Sequence, residues 1–119
     1  MKKKKIILNY KGKKLSLDLF VLPRSLYWLG LMFSRRSKAK NLLFSFDKET
    51  KMSIHSFFVF HSFLAIWLDS RGKIVDVKIV KPFNLGISPR EKYKSLIEIP
   101  LSKGSDEVLK FLDAGETFK

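Results

Sequence analysis

The chain has 119 residues, of which 45% are hydrophobic and 29% charged, a balance typical of one globular domain rather than of a disordered segment. It contains no cysteine, which excludes disulfides, cysteine-ligated zinc and thiol catalysis within this sequence and fits a reducing compartment. The formal net charge is +13, and such a basic chain favours partners that carry negative charge.

The positive charge is concentrated in the first third of the chain. Residues 1–40 carry twelve Lys and Arg against one acid, Asp18, whereas residues 41–119 carry twelve bases and ten acids. The net charge is therefore +11 in the first part and +2 in the second. This asymmetry is typical either of a solvated face that keeps sheet edges unpaired or of a binding site for a polyanion.

The first 22 residues predict a basic β-hairpin, with strands at residues 4–10 and 14–20. Leucine alternates with polar residues along the second strand, which indicates one buried and one solvated face. Residues 23–119 are expected to form the body of the same single domain.

Short elements are predicted after the hairpin. A helix is expected at residues 26–33, with Ser25 as its cap. Residues 34–40 form a basic loop, residues 42–46 a short strand and residues 47–51 a polar turn.

The centre of the chain is strongly apolar. Residues 54–60 and 63–68 are predicted to be buried strands, because Phe, Val, Ile and Trp fit a packed, pleated surface. A transmembrane helix over residues 52–68 is the alternative, since these residues carry no formal charge, but two His and two Ser interrupt the apolar run. Residues 69–72 predict a turn in which Gly72 adopts a positive φ.

Residues 73–80 alternate between apolar and charged side chains. The strand period therefore predicts that the apolar side chains face the core and the charged ones face solvent. The first set is Val75, Val77 and Ile79, and the second is Asp76 and Lys78.

The C-terminal part predicts a loop at 82–89, a strand at 93–99, a helix at 106–112 with Ser105 as its cap, and a last short strand at 116–119. Together the elements predict a mostly β domain of the α+β type, a single compact antiparallel barrel-like sheet with two short helices. The chain begins like a signal peptide, but the apolar part is too short, so we expect a cytoplasmic protein.

Candidate catalytic and metal-binding side chains are few. His55 and His61, the only histidines, would lie about 20 Å apart on one continuous strand, which is too far for a shared metal. Ser56 and Ser62 adjoin them, but neighbouring strand residues face opposite ways, which argues against a serine hydrolase. The sequence has no phosphate-binding loop or dinucleotide fingerprint. We expect no catalytic residue, metal or cofactor.

Basic residues form the candidate polyanion-binding site. The hairpin contributes lysines, and the loop at 34–40 contributes arginine forks that suit phosphate groups. The residues are Lys11, Lys13, Lys14, Arg35, Arg36, Lys38 and Lys40. We expect them to share one surface and to bind nucleic acid through its backbone charge. An anionic membrane or a protein surface is the alternative partner.

Four segments occur in a distinctive order. They are Gly30-Leu31-Met32-Phe33, then Leu42-Leu43-Phe44-Ser45-Phe46, then Ile54-His55-Ser56-Phe57-Phe58-Val59-Phe60 followed by Trp67-Leu68-Asp69-Ser70-Arg71-Gly72-Lys73-Ile74-Val75, and finally Leu96-Ile97-Glu98-Ile99-Pro100. This series resembles the domain-of-unknown-function family 192, in the form common in archaea, over about residues 24–119. The resemblance implies a compact, mostly β, barrel-like domain with a short helix or two and no known activity.

The chain departs from that family at one acid. Members often carry Pro-Ile-Asp after the aromatic run, and Leu64 stands here in place of the aspartate. Glu98 matches a glutamate of the family and is expected either to pair with a nearby base or to anchor a ligand. Met32 and Glu98 together define a second hypothesis, a small-ligand pocket or enzyme scaffold.

Overall fold

The computed structural model describes residues 2–27, 40–56, 59–101 and 105–112. Within these ranges the chain forms a six-stranded sheet and one short α-helix, and this confirms the predicted mostly β fold. The strands are β1 (Lys2–Tyr10), β2 (Lys13–Val21), β3 (Leu42–Thr50), β4 (Phe63–Leu68), β5 (Ile74–Val80) and β6 (Tyr93–Pro100), and the helix is α1 (Asp106–Phe111).

The sheet has the strand order β1-β2-β3-β6-β4-β5. Neighbouring strands are antiparallel except β2 and β3, which run parallel and pair through two residues each. The edge strands β1 and β5 contact each other, so the sheet curls into a half-barrel with an interior and an outer side.

The β1–β2 hairpin turns through two residues. Tyr10 pairs with Lys13, and the intervening Lys11 and Gly12 have φ values of 51° and 78°. Two successive positive φ values define a type I′ turn, whose twist matches that of the flanking strands. Gly12 adopts this geometry without steric cost, whereas Lys11 does so at a cost.

Apolar side chains cover the interior side of the sheet and part of its outer side. The interior layer joins all parts of the half-barrel to α1, and its buried members are Leu8, Leu17, Leu19, Leu43, Leu64, Ile66, Leu68, Ile97, Ile99, Val108, Phe111 and Leu112. The outer layer lies on β3, β4, β5 and β6, and its buried members are Leu22, Leu42, Phe44, Val59, Phe63, Ala65, Trp67, Val80, Tyr93 and Leu96. Because β4 and β6 are covered on both sides, their sequences are apolar without a two-residue period.

Two predicted elements around residue 50 are wrong. Residues 47–50, expected to turn, extend β3, and Thr50 pairs with Tyr93 after an irregularity in the ladder. The described residues of the predicted strand at 54–60 form no strand: Ile54 makes one bridge to Ile87, and Val59 donates to the Ser56 carbonyl. This stretch is apolar because it packs on the outer layer.

The turn at residues 69–72 is confirmed. Gly72 has a φ of 80° and donates to the Asp69 carbonyl at 3.0 Å. The Asp69 carboxylate accepts the backbone N–H groups of Arg71 and Lys73, both at 2.9 Å. These bonds replace the hydrogen bonds that the turning backbone cannot make to a strand.

A bulge beside this turn makes the predicted orientation of β5 partly wrong. Val77 packs against the interior layer as expected, but Val75 packs against the outer layer, and Ile79 is 37% exposed. Asp76 was expected in solvent and is buried. Its carboxylate accepts the N–H groups of Val77 at 2.8 Å and Arg90 at 2.9 Å, which offsets the cost of burial.

Helix α1 begins where the sequence predicts. Ser105 occupies the N-cap position, but its side chain does not make the expected capping bond. Arg24–Leu26 forms a 3₁₀ turn at the start of the other predicted helix. The remainder of that helix, the predicted strand at 116–119, Met32 and the basic residues Arg35, Arg36 and Lys38 lie outside the described residues.

Candidate functional site

One row of paired residues crosses the whole sheet on its outer side. The strand register places each member beside the next, in the order Lys3, Phe20, Leu42, Glu98, Ala65 and Lys78. We call it the transverse row. Strands in a sheet are about 4.8 Å apart, so Glu98 lies roughly 10 Å from Phe20 on one side and from Lys78 on the other. The row therefore places a buried carboxyl group between two lysine-bearing edges.

Glu98 is buried in an apolar setting. Leu42 and Ala65 lie directly beside it on the two neighbouring strands, and 5% of the residue is exposed. Burial raises the pKa of Glu98 to about 8, and in the described ranges no base or hydrogen-bond donor counteracts this rise. The expected pairing with a base is thus not seen among these residues. Near neutral pH most Glu98 carboxyl groups are protonated and can donate as well as accept a hydrogen bond.

Trp67 and Tyr93 supply two further polar atoms to the same layer. Trp67 is fully buried, and its indole Nε1 has no hydrogen-bond partner in the described parts of the chain. The Tyr93 hydroxyl donates to the Met52 carbonyl at 2.8 Å. Burial, which is the larger cause, and the negative charge of ionised Glu98, which is the smaller one, raise the pKa of Tyr93 to about 12. This hydroxyl therefore stays a donor at physiological pH. The two rings lie 6.4 Å apart between centroids at 71°.

Lysines flank an aromatic ring at the β1–β2 end of the row. The Lys40 Nζ lies 4.6 Å from the centroid of the Phe20 ring, and Lys3 pairs with Phe20 across the hairpin. Lys5 follows Lys3 on the outer side, directly across from Asp18. Because the side chains of Lys3, Lys5 and Lys40 are exposed, this end of the sheet presents positive charge beside an aromatic ring.

The hairpin tip lies at the other end of β1 and β2. Lys14 pairs with Asn9 on the outer side, whereas Lys13 pairs with Tyr10 on the interior side, and Lys11 lies in the turn. Lys14 is six residues from Phe20 along β2, a distance of about 20 Å. Of the predicted cluster, the structure brings Lys14 and Lys40 to one side of the sheet but to opposite ends of the hairpin. Their anion binding stays a prediction.

Lys78 completes the opposite edge of the row. Its Nζ donates to the Ser88 carbonyl and lies 6.0 Å from the centroid of the Trp67 ring. The sequence predicted this lysine to point into solvent, but it is half-buried over the outer layer. A cation over an indole face stabilises the position of both groups.

Two further candidate residues, Ser56 and His61, are buried. Ser56 is buried, its hydroxyl donates to the Lys81 carbonyl at 2.6 Å, and it accepts the Asn84 N–H at 2.7 Å. His61 is buried with its Nδ1 3.3 Å from the Ser62 carbonyl oxygen, and its Nε2 has no partner within the described ranges. No group of three or more metal-ligating side chains occurs in the described residues.

Sequence reasoning missed the contribution of Trp67, Ala65 and Phe20 to this site. The period of two along β4 does place Trp67 and Ala65 on one face. It could not show that Ala65 lies opposite Glu98, because strand order and register join residues that are 33 positions apart in the chain. The parallel β2–β3 junction, which brings Phe20 into the row, has no sequence signal that we recognise.

No profile of a known protein family matches the chain. A UPF0127 protein of Pyrococcus horikoshii is 35% identical to it over 82 residues, which are 69% of this chain and 69% of that protein. The chain belongs to the UPF0127 family. A second UPF0127 protein, from Pyrococcus abyssi, is 32% identical over 81 residues, 68% of this chain and 67% of its own length. UPF0127 is an uncharacterised family, so membership assigns no activity.

Two crystal structures share the fold of this UPF0127 chain. One is of a protein described provisionally as a transcription regulator, from Sinorhizobium meliloti, with a TM-score of 0.73, 19% identity and coverage of 91% of this chain and 85% of that one. The other is of a protein of unknown function from Novosphingobium aromaticivorans, with a TM-score of 0.71, 8% identity and coverage of 89% and 78%. At these identities the likeness shows the fold alone.

The described residues of the UPF0127 chain include helices that are short. None of the helices there has the length and apolar character needed to span a bilayer.

Proposed function

We propose that this UPF0127 protein is a non-enzymatic binding module for a polyanion, with nucleic acid as the ligand class and the outer side of the β1–β2 hairpin as the binding surface. The observation that supports the proposal is the charge of this edge hairpin. Seven lysines and one aspartate lie between Lys2 and Val21. A solvated edge needs fewer charges than this to remain unpaired.

The register of the hairpin supports the same function. Lys3, Lys5 and Lys14 all lie on the outer side, since they pair with Phe20, Asp18 and Asn9. They span about 20 Å of extended strand. Phosphates of one DNA strand recur about every 3.4 Å along the helix axis, so the lysine row has the length of roughly six phosphates. These three lysines do not belong to a helix or strand that could enter a groove and read bases. The surface they form therefore suits recognition of backbone charge.

A salt titration with a matched pair of variants tests this proposal. The test variant replaces Lys3, Lys5 and Lys14 with Gln, and the control replaces the exposed Lys73, Lys92 and Lys110 with Gln. Both have the same net charge, so only the position of the charge differs. Binding to mixed-sequence duplex DNA is measured by fluorescence anisotropy from ~50 mM salt upward, where about five phosphate contacts give a log–log slope near −4 to −5.

We expect the log–log slope of the hairpin variant to be less steep by about 2.7, because three phosphate contacts are removed. The control variant should keep the slope of the wild type. Equal slopes for the two variants would mean that only net charge matters and would contradict the proposal. Anionic liposomes and single-stranded RNA are titrated in parallel. Binding to liposomes alone would indicate that the partner is a membrane and not a nucleic acid. If neither nucleic acid nor liposomes bind at ~50 mM salt, the lysines serve only as a solvated face.

The loop at 34–40 belongs to the same proposal. Replacement of Arg35, Arg36, Lys38 and Lys40 with Gln is expected to flatten the salt slope in the same way and to leave stability nearly unchanged. We further infer that the UPF0127 chain and the domain-of-unknown-function family 192 share this β domain. We also infer that the protein acts in the cytoplasm, because a chain without cysteine fits a reducing compartment.

A further inference from the structure

Two loop segments come together over the outer layer, one before β4 and one after β5. Ile54 and Ile87 exchange two backbone hydrogen bonds, at 2.8 and 2.9 Å. The Ser56 N–H donates to the Asn84 carbonyl at 2.8 Å, and the Phe83 N–H donates to the Ser56 carbonyl at 2.9 Å. These bonds hold the two segments, which we call the loop pair, in one defined arrangement. Its described residues are 52–56, 59–60 and 81–87.

The apolar side chains of the loop pair divide into two sets. One set packs within the outer layer, and its members are Ile54, Val59 and Ile87. The second set, which we call the apolar patch, consists of Phe60, Phe83 and Leu85, which are 60%, 49% and 64% exposed. The Phe60 and Phe83 rings lie 5.6 Å apart between centroids, so they form one surface. Isolated exposed apolar residues are ordinary, whereas contacting ones mark a site of interaction.

The backbone holds Phe83 in this position at a cost. Its φ is 60°, in the left-handed region that bulky residues rarely adopt. Asn or Gly would adopt the same φ more easily, so the course of the loop does not require an aromatic residue here. Backbone strain of this kind is concentrated at sites of interaction. A partner therefore explains the exposed ring better than the packing of the loop does.

Basic residues accompany the apolar patch. Residues 51–62 and 78–90 contain three Lys and one Arg but no Asp or Glu, and Lys51 and Lys81 are exposed. A second copy of the chain would bring these lysines against like charges. Because the members of the patch are about half or more exposed, they stand out from the surface and do not line a groove. The patch therefore complements a soft apolar surface that is covered by negative charge.

We propose that the apolar patch docks the protein on a lipid bilayer that carries anionic headgroups. Phe60, Phe83 and Leu85 enter the boundary between headgroups and acyl chains, where Phe and Leu are typical of the inserted face. Lys51 and Lys81 lie at the lipid phosphates and add electrostatic attraction. The loop pair lies at the β4–β5 edge of the strand order and the hairpin at the β1–β2 edge, so this docking does not depend on the proposed polyanion function.

Cosedimentation with vesicles tests the apolar patch. The vesicles are phosphatidylcholine with or without phosphatidylserine, and the variants are Phe60→Ser and Phe83→Asn, since Asn tolerates the φ of 60°. Ile7→Thr is the matched control, because Ile7 is 60% exposed on the hairpin. We expect each patch variant to reduce partitioning onto anionic vesicles roughly tenfold, and the control to change it less than about twofold. Partitioning that both patch variants leave unchanged would overturn the inference.

A fluorescent label reports insertion directly in a chain that keeps both rings. The sequence contains no cysteine, so Leu85→Cys provides a single site for an environment-sensitive nitrobenzoxadiazole dye. We expect its emission to rise on anionic vesicles and to be quenched by a nitroxide on the acyl chains, whereas the same dye at Ile7→Cys keeps its emission. Absence of both effects at position 85 would overturn the inference even if the patch variants fail to fold.

Charge substitutions test the basic residues of the loop pair. Lys51→Gln combined with Lys81→Gln should weaken partitioning onto anionic vesicles about tenfold or more, since each lysine near the surface adds to the attraction. The exposed Lys73→Gln combined with Lys110→Gln has the same net charge and should weaken it less. Equal losses for the two pairs, or equal binding to vesicles with and without phosphatidylserine, would contradict docking on an anionic bilayer.

The hairpin variant separates this surface from the proposed polyanion site. It should partition onto vesicles like its charge-matched control and lose only DNA binding. If the hairpin variant loses vesicle binding and the patch variants do not, the membrane contact belongs to the hairpin, and the apolar patch has no part in it. A dimer in sedimentation that Phe83→Asn dissociates, without vesicle binding, would show that a second copy covers the patch and would likewise reject the bilayer.

Discussion

Ala65 lies directly across from Glu98 on the neighbouring strand, so the smallest side chain of β4 faces the buried carboxyl group. On the other side, Glu98 faces Leu42 of β3. Neither neighbour can donate a hydrogen bond from its side chain. Burial therefore favours the protonated form of Glu98 in the folded sheet, and the protonation of this side chain is linked to the stability of the fold.

The first prediction concerns this linkage. The pKa of Glu98 is raised from its ordinary value of 4.5 to about 8, so between these pH values the folded chain holds a proton that the unfolded chain releases. The contribution of Glu98 to stability is therefore fully present below pH 4.5 and is lost as the pH rises toward 8. We expect Glu98→Gln to remove a pH dependence on the order of a few kcal/mol in this window.

Urea unfolding of the wild type and of Glu98→Gln from pH 4.5 to 8.5 measures that difference, with Glu91→Gln as the control. Parallel stability curves for the wild type and Glu98→Gln would show that the carboxyl group has a partner that keeps its pKa ordinary.

The second prediction concerns the Ser56 hydroxyl. It donates to the Lys81 carbonyl and accepts the Asn84 N–H, so it ties the loop after β5 to the residues before β4. Ser56→Ala leaves a backbone N–H without its partner, and we expect a loss of about 1–3 kcal/mol in the free energy of unfolding. The exposed Ser16→Ala should change this free energy by less than about 0.5 kcal/mol. Equal effects in denaturant titrations would show that the loop does not depend on this hydroxyl.

The third prediction concerns Asp76. Its carboxylate accepts the N–H groups of Val77 and Arg90, and the Arg90 Nε lies 3.5 Å from it. Asp76→Ala removes an acceptor from two backbone donors, so we expect a loss of about 2–4 kcal/mol in thermal or chemical unfolding. The measurement pairs it with Glu91→Ala, whose side chain is exposed. A neutral Asp76→Ala would indicate that solvent satisfies both donors.

The fourth prediction compares two positions on one face of β5. Val77 packs against the interior layer, whereas Ile79 is 37% exposed at the sheet edge. Val77→Asp places a charge at a partly buried position against this layer and is expected to cost on the order of a few kcal/mol, enough to unfold a marginal domain. Ile79→Asp should cost less because water reaches its carboxylate. Melting temperatures that fall equally in both variants would contradict the packing assigned to this strand.

The sequence predicted those parts of the fold that depend on local pattern. The leucine alternation in β2, the apolar run of β4 and the turn at Gly72 required only the two-residue period and the steric freedom of glycine. The bulge beside Val75 was not predictable, because it depends on how β5 pairs with β4. The strand expected at 54–60 failed because an apolar segment that covers a sheet has the same composition as one inside it.

The candidate site was predicted only in part for the same reason. The charge of the hairpin follows from composition, and Glu98 was noted as an acid within an apolar strand. The relation of Glu98 to Trp67, and of both to Phe20, depends on a strand order in which β6 lies between β3 and β4. Long-range pairing of this kind leaves no mark in a single sequence that we could interpret.

The exposed rings of Phe60 and Phe83 are expected to affect how the protein behaves in concentrated salt. They lie 5.6 Å apart between centroids and are 60% and 49% exposed, and the Phe83 backbone has a φ of 60°, a strained value for a bulky residue. At low ionic strength, mutual repulsion between highly charged molecules keeps these rings apart. Added salt shortens the range of that repulsion and strengthens apolar association. Molecules should then adhere through these rings, so that colloidal stability is greatest in dilute buffer.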